Sequence, residues 1–238
     1  MIKRIAVFLM ILSLSACTAQ QIQSTLDTLS GGQGLTNSEI ASGLKQALEL
    51  GIGEGAQRLS QKDGYFKSAY KILLPPEARK VTDKLKNVPG FTEVEDIVLE
   101  KINRGAEDAA KKAKPIFVDA IKQMTFSDAL DILMGEDNAA TQYLNRTTND
   151  KLYQEFNPVI IESLDKFNAR DYWADAVNAY NKIPFVEKAN PDLDDYVTRE
   201  ALNGLFSMVE KKEKQIRTDI SSRTTDLLKK VFAKQDNK

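Results

Sequence analysis

Two copies of one triplet, Arg146-Thr147-Thr148 and Arg223-Thr224-Thr225, stand 77 positions apart in the chain. A guanidinium beside two hydroxyls at the start of a helix would hold a phosphate, sulfate or carboxylate, because helix N-termini present free N–H groups and charge-assisted hydrogen bonds are strong. Arg146, Thr147, Arg223, Thr224 and Thr225 are therefore the candidate anion-binding residues. The other reading is that each triplet caps or decorates its own helix. Asp192, Asp194 and Asp195 cluster before Tyr196. Their spacing lacks the twelve-residue calcium-loop pattern, and acidic residues in a first helical turn favour the helix dipole. No metal site is expected there. Glu93, Glu95, Asp96, Glu100, Glu107 and Asp108 supply carboxylates in pairs, as glycoside hydrolysis requires, but that chemistry also needs a set separation across a cleft. Gly51-x-Gly53-x-Gly55 lacks the preceding strand and the spacing of a phosphate loop, and reads as a closely packed stretch of helix. Tyr172, Trp173 and Tyr180 recur at helical spacing and read as core or as the wall of a sugar or lipid groove.

The chain contains no histidine and one cysteine, Cys17. Absence of histidine removes Ser-His-Asp and Cys-His catalysis, histidine-based zinc sites and HExxH metalloproteases. The N-terminus reads MIKRIAVFLMILSLSAC: Lys3 and Arg4, then an apolar run from Ile5 to Leu14, then Leu14-Ser15-Ala16-Cys17. About ten apolar residues match the hydrophobic stretch of a secretory signal and fall well short of a membrane span. Leu14 to Cys17 resembles the lipobox of bacterial lipoproteins. That resemblance implies alkylation of the Cys17 thiol by a diacylglyceryl group, cleavage after Ala16 and acylation of the new amine. Thr18 follows in place of the Asp that marks inner-membrane retention, so the resemblance implies an outer-membrane lipoprotein facing the periplasm. A lipidated Cys17 leaves no thiol for a disulfide or a nucleophile.

Loss of residues 1–16 takes only Lys3 and Arg4 from a net charge of −1, leaving a mature chain at −3. A near-neutral balance argues against nucleic acid as a partner and against adhesion to anionic lipid through a basic patch. The expected membrane partner is the bilayer itself, through the lipid, with an envelope protein or an anionic ligand as the further possibility. No cofactor is expected. With 42% hydrophobic and 28% charged residues, the chain can bury a sizeable core beneath an exposed helical surface.

These groups must be positioned by helices. Residues 18–35 are small and polar with a Gly31-Gly32-Gln33-Gly34 break, and read as a tether. From Thr36 the period is helical: Ile40, Leu44, Ala47, Leu48 and Ile52 share one face, and Thr36 with Glu39 forms a capping-box pattern. Pro75-Pro76 opens the next helix; Thr92 with Glu95 and Thr125 with Asp128 read as further N-caps. Pro115 kinks or restarts a helix. Residues 138–157 form another, limited by Pro158, with a separate segment from Val159 to Phe167. Leu193, Val197, Leu205 and Met208 lie on one face of the clearest helix, whose charged stretch Glu210 to Lys214 is expected to extend into solvent. Lys71 to Leu74 and Val159 to Ile161 are the only strand candidates. The expected fold is all-α, an irregular bundle of about eight to ten helices forming a single domain over residues 36–234.

As a set, several stretches are similar to a family of bacterial lipoproteins and secreted proteins defined by a domain of unknown function. They include Leu35-Thr36 with Glu39-Ile40, Asp63-Gly64-Tyr65, Asn103-Arg104 through Lys114-Pro115-Ile116-Phe117, Met124 to Ala129, Asp192 to Thr198, and Arg223-Thr224-Thr225 through Phe232. The resemblance implies a helical envelope domain and supplies no catalytic residue. The functional expectation is a lipid-anchored, non-enzymatic protein that binds a partner or organises the envelope. A periplasmic ligand-binding protein with an apolar or anion-selective pocket is the alternative, and a carboxylate-based hydrolase stands behind it.

Overall fold

The computed structural model describes residues 36–166, 168–189 and 192–233. The signal segment, Cys17 and the tether lie outside the described residues. The fold is all-α, with nine α-helices and no strand among the described residues. In chain order they are α1 (Asn37–Leu59), α2 (Pro76–Leu85), α3 (Val94–Ala110), α4 (Ala113–Gln123), α5 (Phe126–Met134), α6 (Ala139–Lys166), α7 (Ala169–Asn181), α8 (Asp194–Thr218) and α9 (Asp226–Phe232). A single 3₁₀ turn, Ile220–Ser222, joins the last two.

Local chemistry places the starts of several helices. Thr36 caps α1 in a reciprocal box: its own N–H donates to Glu39 Oε2 at 2.7 Å while Glu39 N–H donates to its hydroxyl. Thr125 and Asp128 repeat the arrangement at α5. Pro76 occupies the first turn of α2, where a missing N–H costs nothing. Pro115 sits in the first turn of α4, just past the break at Lys111 and Lys112, and so marks a restart.

Packing then sets the layers. The long helices α6 and α8 lie against each other at the centre. On one side α1 packs across α8 and carries α4, α5 and α9; on the other α3 packs along α6 and carries α2 and α7. Ile40, Leu44, Ala47, Leu48 and Ile52 are all buried, as the helical period requires, and so are Leu193, Val197, Leu205 and Met208. The glycine-rich stretch is an interface within this frame. A Cβ at Gly55 would stand 3.0 Å from Met208 Cγ on α8, so the absence of a side chain lets α1 press close.

Three expectations from the sequence are corrected. Helix α6 does not stop at Pro158 but runs through it to Lys166. An internal proline removes a hydrogen bond at a cost of about 3 kcal/mol. Leu152, Phe156, Ile160 and Leu164, buried on both sides of it, hold the helix to its neighbours and offset that loss. Thr92 does not cap α3: the cap position is Glu93, without a side-chain hydrogen bond, and Glu95 instead accepts from Thr82 Oγ1 of α2 at 3.2 Å. Nor does the charged end of α8 simply extend into solvent. Glu213 and Arg217 are buried there, 7% and 5% exposed.

Candidate functional site

A hollow forms where three elements fail to meet. Helix α2, the last turn of α7 and the first turn of α8 enclose a cleft of about 390 Å³. Its walls are Pro75, Ala78, Tyr180, Leu193 and Tyr196. Its rim carries both signs of charge, with Lys80 and Lys188 facing Glu77, Glu187 and Asp192. The segment after α7 shapes the mouth. Asn181 Nδ2 donates to Ala189 O at 3.1 Å, and Ala189 N donates back to Asn181 Oδ1 at 2.9 Å, closing a loop. Phe185 sits on that loop in the left-handed region with φ 64° and is fully exposed. Lys80 reaches Glu187 across the mouth at 3.6 Å. Tyr196 is held in place by donation to Leu73 O at 2.9 Å, and burial raises its phenol pKa above the ordinary value. A volume of this size falls within the range of about 300–1,000 Å³ of small-molecule sites. Aromatic walls with charges of both signs suit a small zwitterionic or hydroxylated molecule.

The two Arg-Thr-Thr triplets are used differently. Arg146 and Thr147 lie in the interior of α6 rather than at a helix start. Arg146 is exposed, 5.7 Å from the Tyr143 ring centroid, and Thr147 Oγ1 donates to Tyr143 O at 2.8 Å. Arg223 is 1% exposed and crosses the end of α8, where Nε donates to Ile216 O and Nη2 to Arg217 O, both at 3.0 Å. A cation over the last carbonyls of a helix is favoured by the dipole. Thr225 caps α9 by accepting from Leu228 N at 3.2 Å and also donates to Gln46 Oε1. Thr224 is exposed.

The aspartate cluster is divided as well. Asp192 accepts from Asp194 N at 2.9 Å, Asp195 pairs with Arg199 and accepts from Tyr153, and Asp194 is buried near Arg170. Among the described residues no group of three or more His, Cys, Asp or Glu side chains is arranged to hold a metal ion. Trp173 is core and Tyr180 is buried and forms part of the wall of the cleft; Tyr172 is half-buried, its ring 6.2 Å from that of Phe91.

Two buried polar clusters hold the frame, and one of them takes up Glu107, a carboxylate the sequence offered for hydrolysis. Glu213 accepts from Ala140 N at 2.9 Å and from Thr141 N and Oγ1 at 2.8 Å, so a carboxylate of α8 caps the start of α6. Arg217 pairs with Glu213 at 2.8 Å and donates to Ile132 O at 2.7 Å, so its guanidinium caps the end of α5. At the other pole, Glu107 accepts from Tyr65 N and Phe66 N, and Arg104 bridges Glu107 to Asp63 at 2.8 Å each. Asn103 accepts from Ile72 N and donates to Ile72 O. The Glu213-to-Arg217 spacing of four is visible in the sequence; that both ends are buried is not.

No curated protein and no solved structure matches this chain. A family model described as a protein of unknown function, DUF4197, matches residues 34–233. That span takes in every described helix, both buried polar clusters and the cleft, and the chain belongs to the DUF4197 family.

Proposed function

We propose that this is a lipid-anchored, non-enzymatic binding protein of the cell envelope, attached through Cys17 and facing the periplasm, that takes a small ligand in the cleft between α2, α7 and α8. The single observation that carries the binding reading is the cleft itself: about 390 Å³, walled by Tyr180, Tyr196 and Pro75 and rimmed by charges of both signs. The Tyr196 hydroxyl is engaged with a backbone carbonyl and Lys80 with Glu187, so these groups are held as walls and rim, which supports binding. The signal-like N-terminus and the lipobox resemblance support the anchor and the compartment.

The test is native mass spectrometry of the protein extracted from envelopes, compared with Glu77→Trp. Glu77 is exposed on the first turn of α2 and lines the cleft, so a bulky ring there blocks the mouth and leaves the core intact. A small-molecule adduct on the native protein that is absent from the variant is the expected result. Equal spectra, with no adduct on either, overturn the reading and leave a protein partner or a purely organising role.

A further inference from the structure

Behind Leu193, which lines the cleft, a second and much smaller hollow of about 20 Å³ also has Leu193 as a wall. Val98, Ile102 and Leu164 make its apolar side; Trp173, Arg170 and Asp194 make its polar side. Arg170 and Trp173 are three positions apart on α7 and so share a face. Arg170 Nη1 is held by Asp165 at 3.1 Å and its Nη2 stands 3.4 Å from Asp194 Oδ2. Asp194 is 8% exposed, and burial raises its carboxyl pKa above the ordinary range. Trp173 is 2% exposed, and its Nε1 finds no acceptor among the described residues. It is the one buried side-chain nitrogen or oxygen so placed among those residues. An indole N–H is a donor only, and buried donors in folded proteins are almost always satisfied.

We propose that this notch is a binding site for a single neutral O–H group, which accepts from Trp173 Nε1–H and donates to the Asp194 carboxylate. Size and chemistry both lead there. A water-sized group needs roughly 10–15 Å³ of such space, so the notch has room for about one. A carboxylate or phosphate has the acceptor for the indole but meets Asp194 with like charge, and Arg170 beside it is already held by Asp165 and Asp194. An ammonium satisfies Asp194 but offers nothing to the indole N–H. A hydroxyl does both. The oxygen has two sources: a water held permanently, or a hydroxyl of a ligand whose body lies in the cleft across Leu193. The first source is independent of the function proposed above; the second rests on it.

The chain has one tryptophan, so a ¹⁵N-labelled sample of the intact mature protein gives one indole resonance, free of overlap. The expected result is slow solvent exchange of that indole proton together with a dipolar cross-peak to a bound water or a bound hydroxyl. Titration with glucose separates the sources. A structural water leaves the indole shift and the cross-peak unchanged. A ligand hydroxyl moves the shift saturably and replaces the water cross-peak, and Glu77→Tyr, which blocks the mouth without adding a second indole, abolishes that response while the water cross-peak returns. An indole proton that shows no cross-peak to any O–H, with or without glucose, overturns the proposal. That outcome reads the notch alone, so it is distinct from loss of the adduct in the cleft experiment.

Discussion

Tyr65 shows how much one side chain carries when it is sealed from water. Its ring is fully buried, its hydroxyl donates to Ala201 O at 2.6 Å, and it presses so close to α8 that a Cβ at Gly204 would stand 2.8 Å from Cε1. Desolvation, reinforced by the neighbouring Glu107 charge, pushes its phenol pKa far above the ordinary value near 10. The folded chain therefore keeps a proton that the unfolded chain gives up. Its contribution to stability is complete below about pH 10 and declines as pH rises beyond that value. Tyr65→Phe should cost about 1 kcal/mol at neutral pH, from one net hydrogen bond. The same change should flatten the loss of stability above about pH 10. Urea unfolding of both proteins at pH 7 and at about pH 10.5 checks both parts. Tyr143, Tyr172 and Tyr196 are also raised by burial, so some alkaline loss remains in the variant. Arg223 makes the complementary point. Its residue type and neighbours read as an anion site, but its use is decided by where α8 ends, a few residues upstream.

At the scale of helices, legibility followed the distance over which the decision is made. The capping boxes of α1 and α5 join groups three positions apart, so Thr36 and Thr125 could be read directly from the sequence. The buried faces of α1 and α8 repeat every turn and were equally legible. Pro158 was misread because a local rule, proline ends a helix, is overruled by packing of α6 against α3 and α8. Glu213 was expected in solvent, and Arg217 gave no signal, because their partners lie 72 to 85 positions earlier, at Thr141, Ala140 and Ile132. Of the cleft only Tyr180 was legible, as one of two readings: the walls come from residues 75–80, 180–189 and 192–196, and a hollow is where packing is incomplete. Removing one member of the buried pair, as in Glu213→Ala, should destabilise by roughly 3–5 kcal/mol, because it strands a guanidinium in the core. Glu213→Leu combined with Arg217→Met should cost clearly less than the two single changes added together, which a double-mutant cycle by chemical denaturation measures. On the apolar side of the same helix, Leu205 is fully buried, and Leu205→Ala should cost about 2–5 kcal/mol. A melting temperature unchanged within error would contradict that burial.

For the molecule as a whole, no helix among the described residues is long and apolar enough to cross a membrane. In the proposed function, attachment falls to the lipid on Cys17, where two or more acyl chains at roughly 0.8 kcal/mol per buried methylene give stable anchoring. Cys17→Ser should release the protein from membranes and block the lipoprotein-type cleavage, read as loss of membrane fractionation together with a changed mass. Density separation of the two membranes should place the native protein with the outer one, and co-migration with the inner membrane would refute that assignment.

The Glu213–Arg217 pair also sets a clock. The amides of Ala140 and Thr141 and the carbonyl of Ile132 precede the groups that seal them by more than 70 residues, and those groups arrive with the last quarter of the chain. A polypeptide that emerges N-terminus first holds the corner between α5 and α6 open to water until residue 217 is free to dock. Before that moment two helix caps are missing, and proteolysis of chains truncated ahead of Glu213 is expected to cut at this corner. In the finished protein the order reverses: those two amides are expected to exchange with solvent when the end of α8 lets go, so their exchange rates time that local opening.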